Sequence, residues 1–210
     1  MTSAPTLRRL FAVTAMVTLL AGLLTGLGAT ARADTSPPPG DPETLTATPL
    51  TTWQTNGTVW SMAIVNGVTY VGGNFTSVRP PGSALGQNEV ERRHLAAFDT
   101  KTGDLLPWAP KLTSPAQTFT GTPDANCNSL GGTQYECASV WSVRPSPDKT
   151  MLYVGGAFQF VDGKARSFVA AFNLPSGTLN TTFKPQMNGR VYAIAPTNSN
   201  VYLGGSFTKA

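Results

Sequence analysis

The sequence predicts an all-β fold of antiparallel strands, and three observations carry that reading. Charged residues fill only 12% of the 210 positions, while 21 Gly and 17 Pro supply frequent turns. That balance excludes a coiled coil or an ordinary helix bundle, both of which need many Glu, Lys and Ala. Hydrophobic residues make up 40%, which suits a packed core and excludes a disordered chain. Lastly, short β-branched and aromatic blocks recur in a fixed order, each bounded by turn residues, a strand pattern rather than a helical one.

The first block, Val59-Trp60-Ser61-Met62, returns as Val140-Trp141-Ser142-Val143 and as Val191-Tyr192-Ala193-Ile194. The second is Tyr70-Val71-Gly72-Gly73-Asn74-Phe75, then Tyr153-Val154-Gly155-Gly156-Ala157-Phe158 and Tyr202-Leu203-Gly204-Gly205-Ser206-Phe207. A third occurs twice, as Leu95-Ala96-Ala97-Phe98-Asp99 and Val169-Ala170-Ala171-Phe172-Asn173, followed by Gly103 or Gly177 and then Leu105 or Leu179. Asn66-Gly67 between the first two blocks is a hairpin signal. Ser146-Pro147-Asp148-Lys149 and Asn198-Ser199-Asn200 are turn-rich counterparts. Gly103 and Gly177 are expected to take positive φ in short turns. The paired glycines Gly72 and Gly73, Gly155 and Gly156, Gly204 and Gly205 are read as structural. Inside a strand, Gly marks a bulge or a close backbone approach, and the Phe that follows is expected to fill the gap between neighbouring units. A phosphate-cradling loop would need a helix after the glycines.

One repeat is thus two hairpins, or four antiparallel strands. From Val140 to Val191 is 51 residues, the size of a β-propeller blade. From Val59 to Val140 is 81 residues, so 30 are inserted, partly between Pro80 and Arg92 and mainly between Thr113 and Ser139. The expected fold is an incomplete propeller of four-stranded antiparallel blades over 53–210: a blade at 53–139 with the insertion, a blade at 140–190 and a partial blade at 191–210. Propellers close with about four to eight blades. The chain is therefore expected to be the N-terminal part of a longer protein, with open sheet edges.

The N-terminus reads as an export signal over 1–33. Arg8 and Arg9 precede an uncharged stretch from Leu10 to Ala31, and Ala31-Arg32-Ala33 is an A-x-A cleavage pattern. Cleavage is expected after Ala33. An uncleaved anchor is the alternative and the only expected membrane contact, since the stretch is long enough to span a bilayer. Arg8-Arg9-Leu10-Phe11 also carries part of a twin-arginine signal. Residues 34–52, rich in Pro and Thr, form an extended linker. Removing Arg8, Arg9 and Arg32 leaves twelve basic against eleven acidic residues. The one remaining basic cluster, Arg92-Arg93, makes no stripe, so nucleic acid is not an expected partner. Export also bears on the two cysteines, since an even count in a secreted chain points to a disulfide between Cys127 and Cys137. With His94 the only histidine, a four-ligand zinc site is disfavoured.

Leu179-Asn180-Thr181-Thr182-Phe183-Lys184-Pro185, followed by Val191-Tyr192-Ala193-Ile194 and Tyr202-Leu203-Gly204-Gly205-Ser206-Phe207, resembles the delta-60 type of bacterial β-propeller repeat. Asn180 stands where that repeat usually has Asp. The resemblance runs from about Val59 to the end. It implies a propeller in a secreted or cell-surface protein and carries no catalytic residues. Ala97-Phe98-Asp99-Thr100-Lys101-Thr102-Gly103 with Trp108 is similar to the quinoprotein dehydrogenase repeat, but the Trp is one residue late. That motif mainly shapes a turn.

The other chemistry-bearing residues have structural readings. Asp99, Asp104, Asp148 and Asp162 sit in turn contexts. Glu89 and Glu91 beside Arg92 and Arg93 read as a solvated patch. No Gly-x-Ser-x-Gly elbow would recruit His94 to a triad, and no calcium loop is present. Trp60 and Trp141 share a repeat position with Tyr192 and read as packing between units, whereas Trp53 and Trp108 are freer to be exposed. Asn56, Asn74 and Asn180 stand in glycosylation-type triplets. No catalytic, cofactor or metal residues are expected. The chain reads as a bacterial, exported, non-enzymatic binding or display module for a protein or glycan, with the cysteine-bearing insertion as the expected recognition loop. The alternative is an extracellular enzyme on a propeller, either carbohydrate-active or quinone-dependent.

Overall fold

The computed structural model describes residues 51–121, 123 and 127–210. The predicted signal, its cleavage point after Ala33 and the linker up to residue 50 lie outside the described residues. Among the described residues there is no helix. Among the described residues six antiparallel sheets form, and three of them follow one another along the chain with their strands in sequence order. The first consists of Val59–Val65, Val68–Gly73 and Leu95–Asp99. The second has Val140–Pro145, Met151–Gly156, Val169–Asn173 and Thr178–Leu179, and the third has Val191–Pro196 and Val201–Gly205.

Four strands therefore occur only in the second sheet. In the first, the expected fourth strand is reduced to a bridge from Phe98 to Leu105, with Leu106 N donating to Ala97 O at 2.8 Å. Pro107 follows, and without an N–H it cannot continue the ladder. The turns form as their sequences require. Asn66 and Gly67 both take positive φ, 52° and 75°, as a two-residue hairpin turn demands. Gly103 and Gly177 are positive as well, at 77° and 68°.

Strand periodicity sends alternate side chains to opposite faces of each sheet. One cluster joins the first two sheets, with Val65, Tyr70, Leu95 and Ala97 from one side and Val140, Val143, Leu152, Val154 and Phe172 from the other. Tyr153 and Val169 point the opposite way and meet Val191, Ile194, Val201 and Leu203 of the third sheet. The second sheet is thus apolar on both faces, which explains its nearly continuous apolar strands. Phe158 lies in the first of these clusters, fully buried.

The paired glycines have two distinct roles. A Cβ on Gly155 would stand 2.7 Å from a Val191 methyl and 3.0 Å from Ile194 Cδ1, so its bareness lets the third sheet close onto the second. A Cβ on Gly156 would stand 2.0 Å from Ser139 O, because the chain entering the first strand crosses the end of the second there. Gly72 and Gly73 repeat both contacts one unit earlier, against Val140, Val143 and Thr58 O.

His94 and Phe168 also occupy one repeat position, and both hold positive φ, 69° and 67°. Each N–H donates to the carbonyl of the Phe that closes the second block, Phe75 O at 2.9 Å and Phe158 O at 3.0 Å. The His94 ring is fully buried, beside the Gly73 backbone. Burial, reinforced by the charge of Arg93, lowers its pKa to about 4.

Two predictions follow from this packing. Gly155→Val is expected to destabilise the protein by about 1–3 kcal/mol through overpacking, read as a lower denaturant midpoint. For His94, the unfolded chain takes up a proton near pH 6.5 while the folded chain resists until about pH 4. Its stabilising contribution is therefore complete above pH 6.5 and drains away as the pH falls through that window. His94→Phe, which supplies the ring of Phe168, should flatten the pH dependence of urea midpoints between pH 7 and 5.

Candidate functional site

Each first strand carries a bulge at the same place. In the first sheet Val59 pairs with Gly73 and Ser61 with Gly72, which leaves Trp60 as the extra residue. Trp141 is the extra residue in the second sheet and Tyr192 in the third. A bulge re-aims its side chain and bends the strand, and here it brings three aromatic rings into a row. The Trp60 and Trp141 centroids are 6.0 Å apart, and those of Trp141 and Tyr192 are 4.8 Å apart, with tilted planes. The Arg190 guanidinium lies 5.6 Å from the Trp141 ring centroid, a cation–π contact. The rings do meet between sheets, as the repeat position implies, yet they are not core: Trp60 is 36% and Tyr192 48% exposed.

The cysteine-bearing insertion adjoins the start of the second sheet's first strand. It forms a small antiparallel sheet of Ala116–Thr118, Asn128–Gly131 and Gln134–Glu136, with the last strand in the middle. A disulfide joins Cys127 to Cys137. Phe119 packs edge-on against Tyr135 at 5.7 Å, and Leu130 at the hairpin tip is exposed. Glu136 anchors the base. It accepts from Arg93 Nη1 at 2.9 Å and from Ser114 N at 3.0 Å. Arg93 Nε and Lys111 Nζ each bind Glu91 at 2.9 Å, and together they hold its carboxyl below the usual range.

The reading of Glu89, Glu91, Arg92 and Arg93 as a solvated patch needs correction at Arg92. Its side chain is buried, and it donates to Glu91 O at 2.8 Å and Leu106 O at 2.9 Å. Arg166 does the same one unit later, toward Ala165 O and Asn180 O. These arginines tie the fourth segment of each sheet to the third, because guanidinium can satisfy several carbonyls at once. Trp108 is likewise not free. It sits edge-on to Tyr70 and to Phe172, both at 5.1 Å, and its Nε1 donates to Gly177 O at 2.9 Å.

All three glycosylation-type asparagines have structural work. Asn56 Oδ1 accepts from Thr76 N and Ser77 N at 2.8 and 3.1 Å. Asn188 Oδ1 takes Thr208 N and Lys209 N in the same way, both at 2.9 Å. Asn74 Oδ1 accepts from Thr58 N, and Asn180 Oδ1 caps Thr182 and Phe183. Asn56 and Asn188 each lie three residues before the first strand, and Cys137 holds that position in the second unit. The repeated Asn-Gly at 56–57 and 188–189 was the sequence signal for this latch. Asp99 binds Lys101 N and Thr102 N, Asp148 binds Thr150 N, and Asp162 binds Lys111 N, so each carboxylate organises a turn or crossing.

No family model, curated protein or solved structure matches the chain. Its chemistry must therefore be read from its own residues. The three rings pack on one another in a row, with Trp60 and Tyr192 exposed and the Arg190 guanidinium over Trp141.

The disulfide closes a short loop that belongs to the insertion alone. Cys127→Ser/Cys137→Ser should cost about 2–3 kcal/mol in the chain-entropy view. Hydrogen exchange should show lost protection around 114–137 while the second sheet keeps its own.

Proposed function

We propose that the chain is an extracellular binding module, exported by its N-terminal signal, whose three sheets are consecutive blades of a β-propeller of the delta-60 kind. Its ligand is a glycan chain laid across Trp60, Trp141 and Tyr192. The observation that carries this is the row of rings at three bulges of one repeat position, with Trp60 and Tyr192 exposed and Trp141 partly buried between them. A core position would hide such rings, and exposed aromatics on a rigid scaffold are recognition elements. The rings follow one another at 4.8 and 6.0 Å, and Trp60 and Tyr192 at the two ends of the row are exposed to a ligand. The register of the three sheets keeps the rings in line, and the insertion stands beside the middle ring in sequence, where it can add contacts through Leu130 and Tyr135. Support for export comes from the Cys127–Cys137 disulfide, which persists in oxidising compartments.

The test is binding of the purified chain to an array of bacterial and plant polysaccharides, followed by titration of the best glycan with tryptophan fluorescence as the signal. Trp141→Ala and Tyr192→Ala should each weaken binding about three- to tenfold, the value of one aromatic contact, while thermal unfolding confirms that the variants fold. Capture of a protein but no glycan, or glycan binding untouched by both substitutions, would overturn the reading.

A further inference from the structure

The first strands of the three sheets bear the aromatic row, and none of them contains Asp or Glu. Two arginines do stand there, Arg144 within the second sheet's first strand and Arg190 directly before the third's. Neither belongs to the repeat. Where Arg190 precedes Val191, the other units have Thr58 before Val59 and Ser139 before Val140. Arg144 pairs with Tyr153, and at that register the other units have Ala63 opposite Tyr70 and Ala195 opposite Tyr202. The scaffold forms with Thr, Ser or Ala at these places, so it has no need of a cation at either.

The arginines that the repeat does share behave differently. Arg92 and Arg166 are buried and bond backbone carbonyls. Arg144 is exposed, and Arg190 is half-buried over Trp141, the ring that touches both others. Arg144 reaches across to the first sheet, where its Nη1 donates to Ser61 Oγ at 3.2 Å, next in sequence to Trp60, and to Val143 O at 2.8 Å. The ion pairs among the described residues join Arg93 and Lys111 to Glu91 and Glu136. Neither Arg144 nor Arg190 is therefore neutralised by a carboxylate among the described residues.

Two uncompensated cations with no anion on the same strands are complementary to a negatively charged ligand. A guanidinium presents paired N–H donors that match a carboxylate or a phosphate. We infer that, given the glycan reading of the row, its ligand is an acidic polysaccharide: the rings take the sugar faces, and Arg144 and Arg190 take anionic substituents, either uronate carboxylates or phosphate esters.

The test is fluorescence titration of the full chain on an array that pairs each acidic polysaccharide with its neutral form. Polygalacturonate is set against its methyl ester for the carboxylate arm, and dextran phosphate against dextran for the phosphate arm. The acidic member of a bound pair should bind about tenfold more tightly at low salt, the product of two exposed charge contacts, and lose that advantage as salt rises. Arg144→Gln and Arg190→Gln should each weaken the acidic polymer about two- to fivefold, while Arg190→Lys, which keeps the charge over Trp141, stays close to wild type. Thermal unfolding confirms that the variants fold. Equal binding of charged and neutral members, with Trp141→Ala weakening both, would overturn this inference and leave the glycan reading standing. Acidic binding untouched by both Gln variants, or a single-stranded oligonucleotide bound more tightly than any acidic glycan, would overturn it too. Binding of no glycan would overturn both readings.

Discussion

The structure depends on one contact, the seating of two apolar side chains against a bare glycine backbone between successive sheets. Gly72 with Val140 and Val143, and Gly155 with Val191 and Ile194, set how closely the sheets approach and in which register. Any side chain at the glycine would hold the sheets apart, and the clusters around Tyr70 and Phe172 or Tyr153 and Val169 would lose contact with their partners. Interiors at crystal-like density tolerate little such displacement. The second glycine of each pair has a separate duty, since it lets the entering chain cross at a distance no Cβ would permit. Two adjacent glycines thus encode a spacing and a crossing, and the repeat carries both forward.

The bulges are a further product of the same geometry. The strand pair must accommodate the crossing at Gly73, Gly156 and Gly205, and it does so by adding one residue opposite the glycines. That residue falls outside the regular inward and outward alternation of the strand. An aromatic there is displaced to the rim, where Trp60, Trp141 and Tyr192 meet one another. The candidate site is therefore built from a structural necessity: the backbone irregularity that packs the sheets also presents the rings. The insertion is tied to the first sheet's approach through Arg93 and Glu136 and closed on itself by the Cys127–Cys137 disulfide.

Much of the fold is legible in the sequence because strands announce themselves locally. The recurring blocks, Asn66-Gly67, and the positive-φ glycines at 103 and 177 are each decided by a few neighbouring residues. What escapes sequence reading is decided by partners far along the chain. Arg92 looks like half of a surface charge pair until its guanidinium meets Leu106 O, and Arg166 repeats that reach with Asn180 O, again fourteen residues on. Trp108 looks free because its acceptor, Gly177 O, lies on the neighbouring sheet. Asn56 satisfies a local modification pattern, but its hydrogen bonds to Thr76 and Ser77 close a latch. The aromatic row was half visible: the shared position was plain, but the bulge that exposes it required the register.

Because the second sheet has apolar neighbours on both faces, its stability is borrowed from two junctions. The molecule then behaves as a short one-dimensional array with nearest-neighbour coupling, like stacked-repeat proteins. Each junction is held by one glycine notch and two apolar side chains, so losing Val191 and Ile194 from Gly155 bares one face of the middle sheet, and damage at one notch passes to the neighbouring sheet.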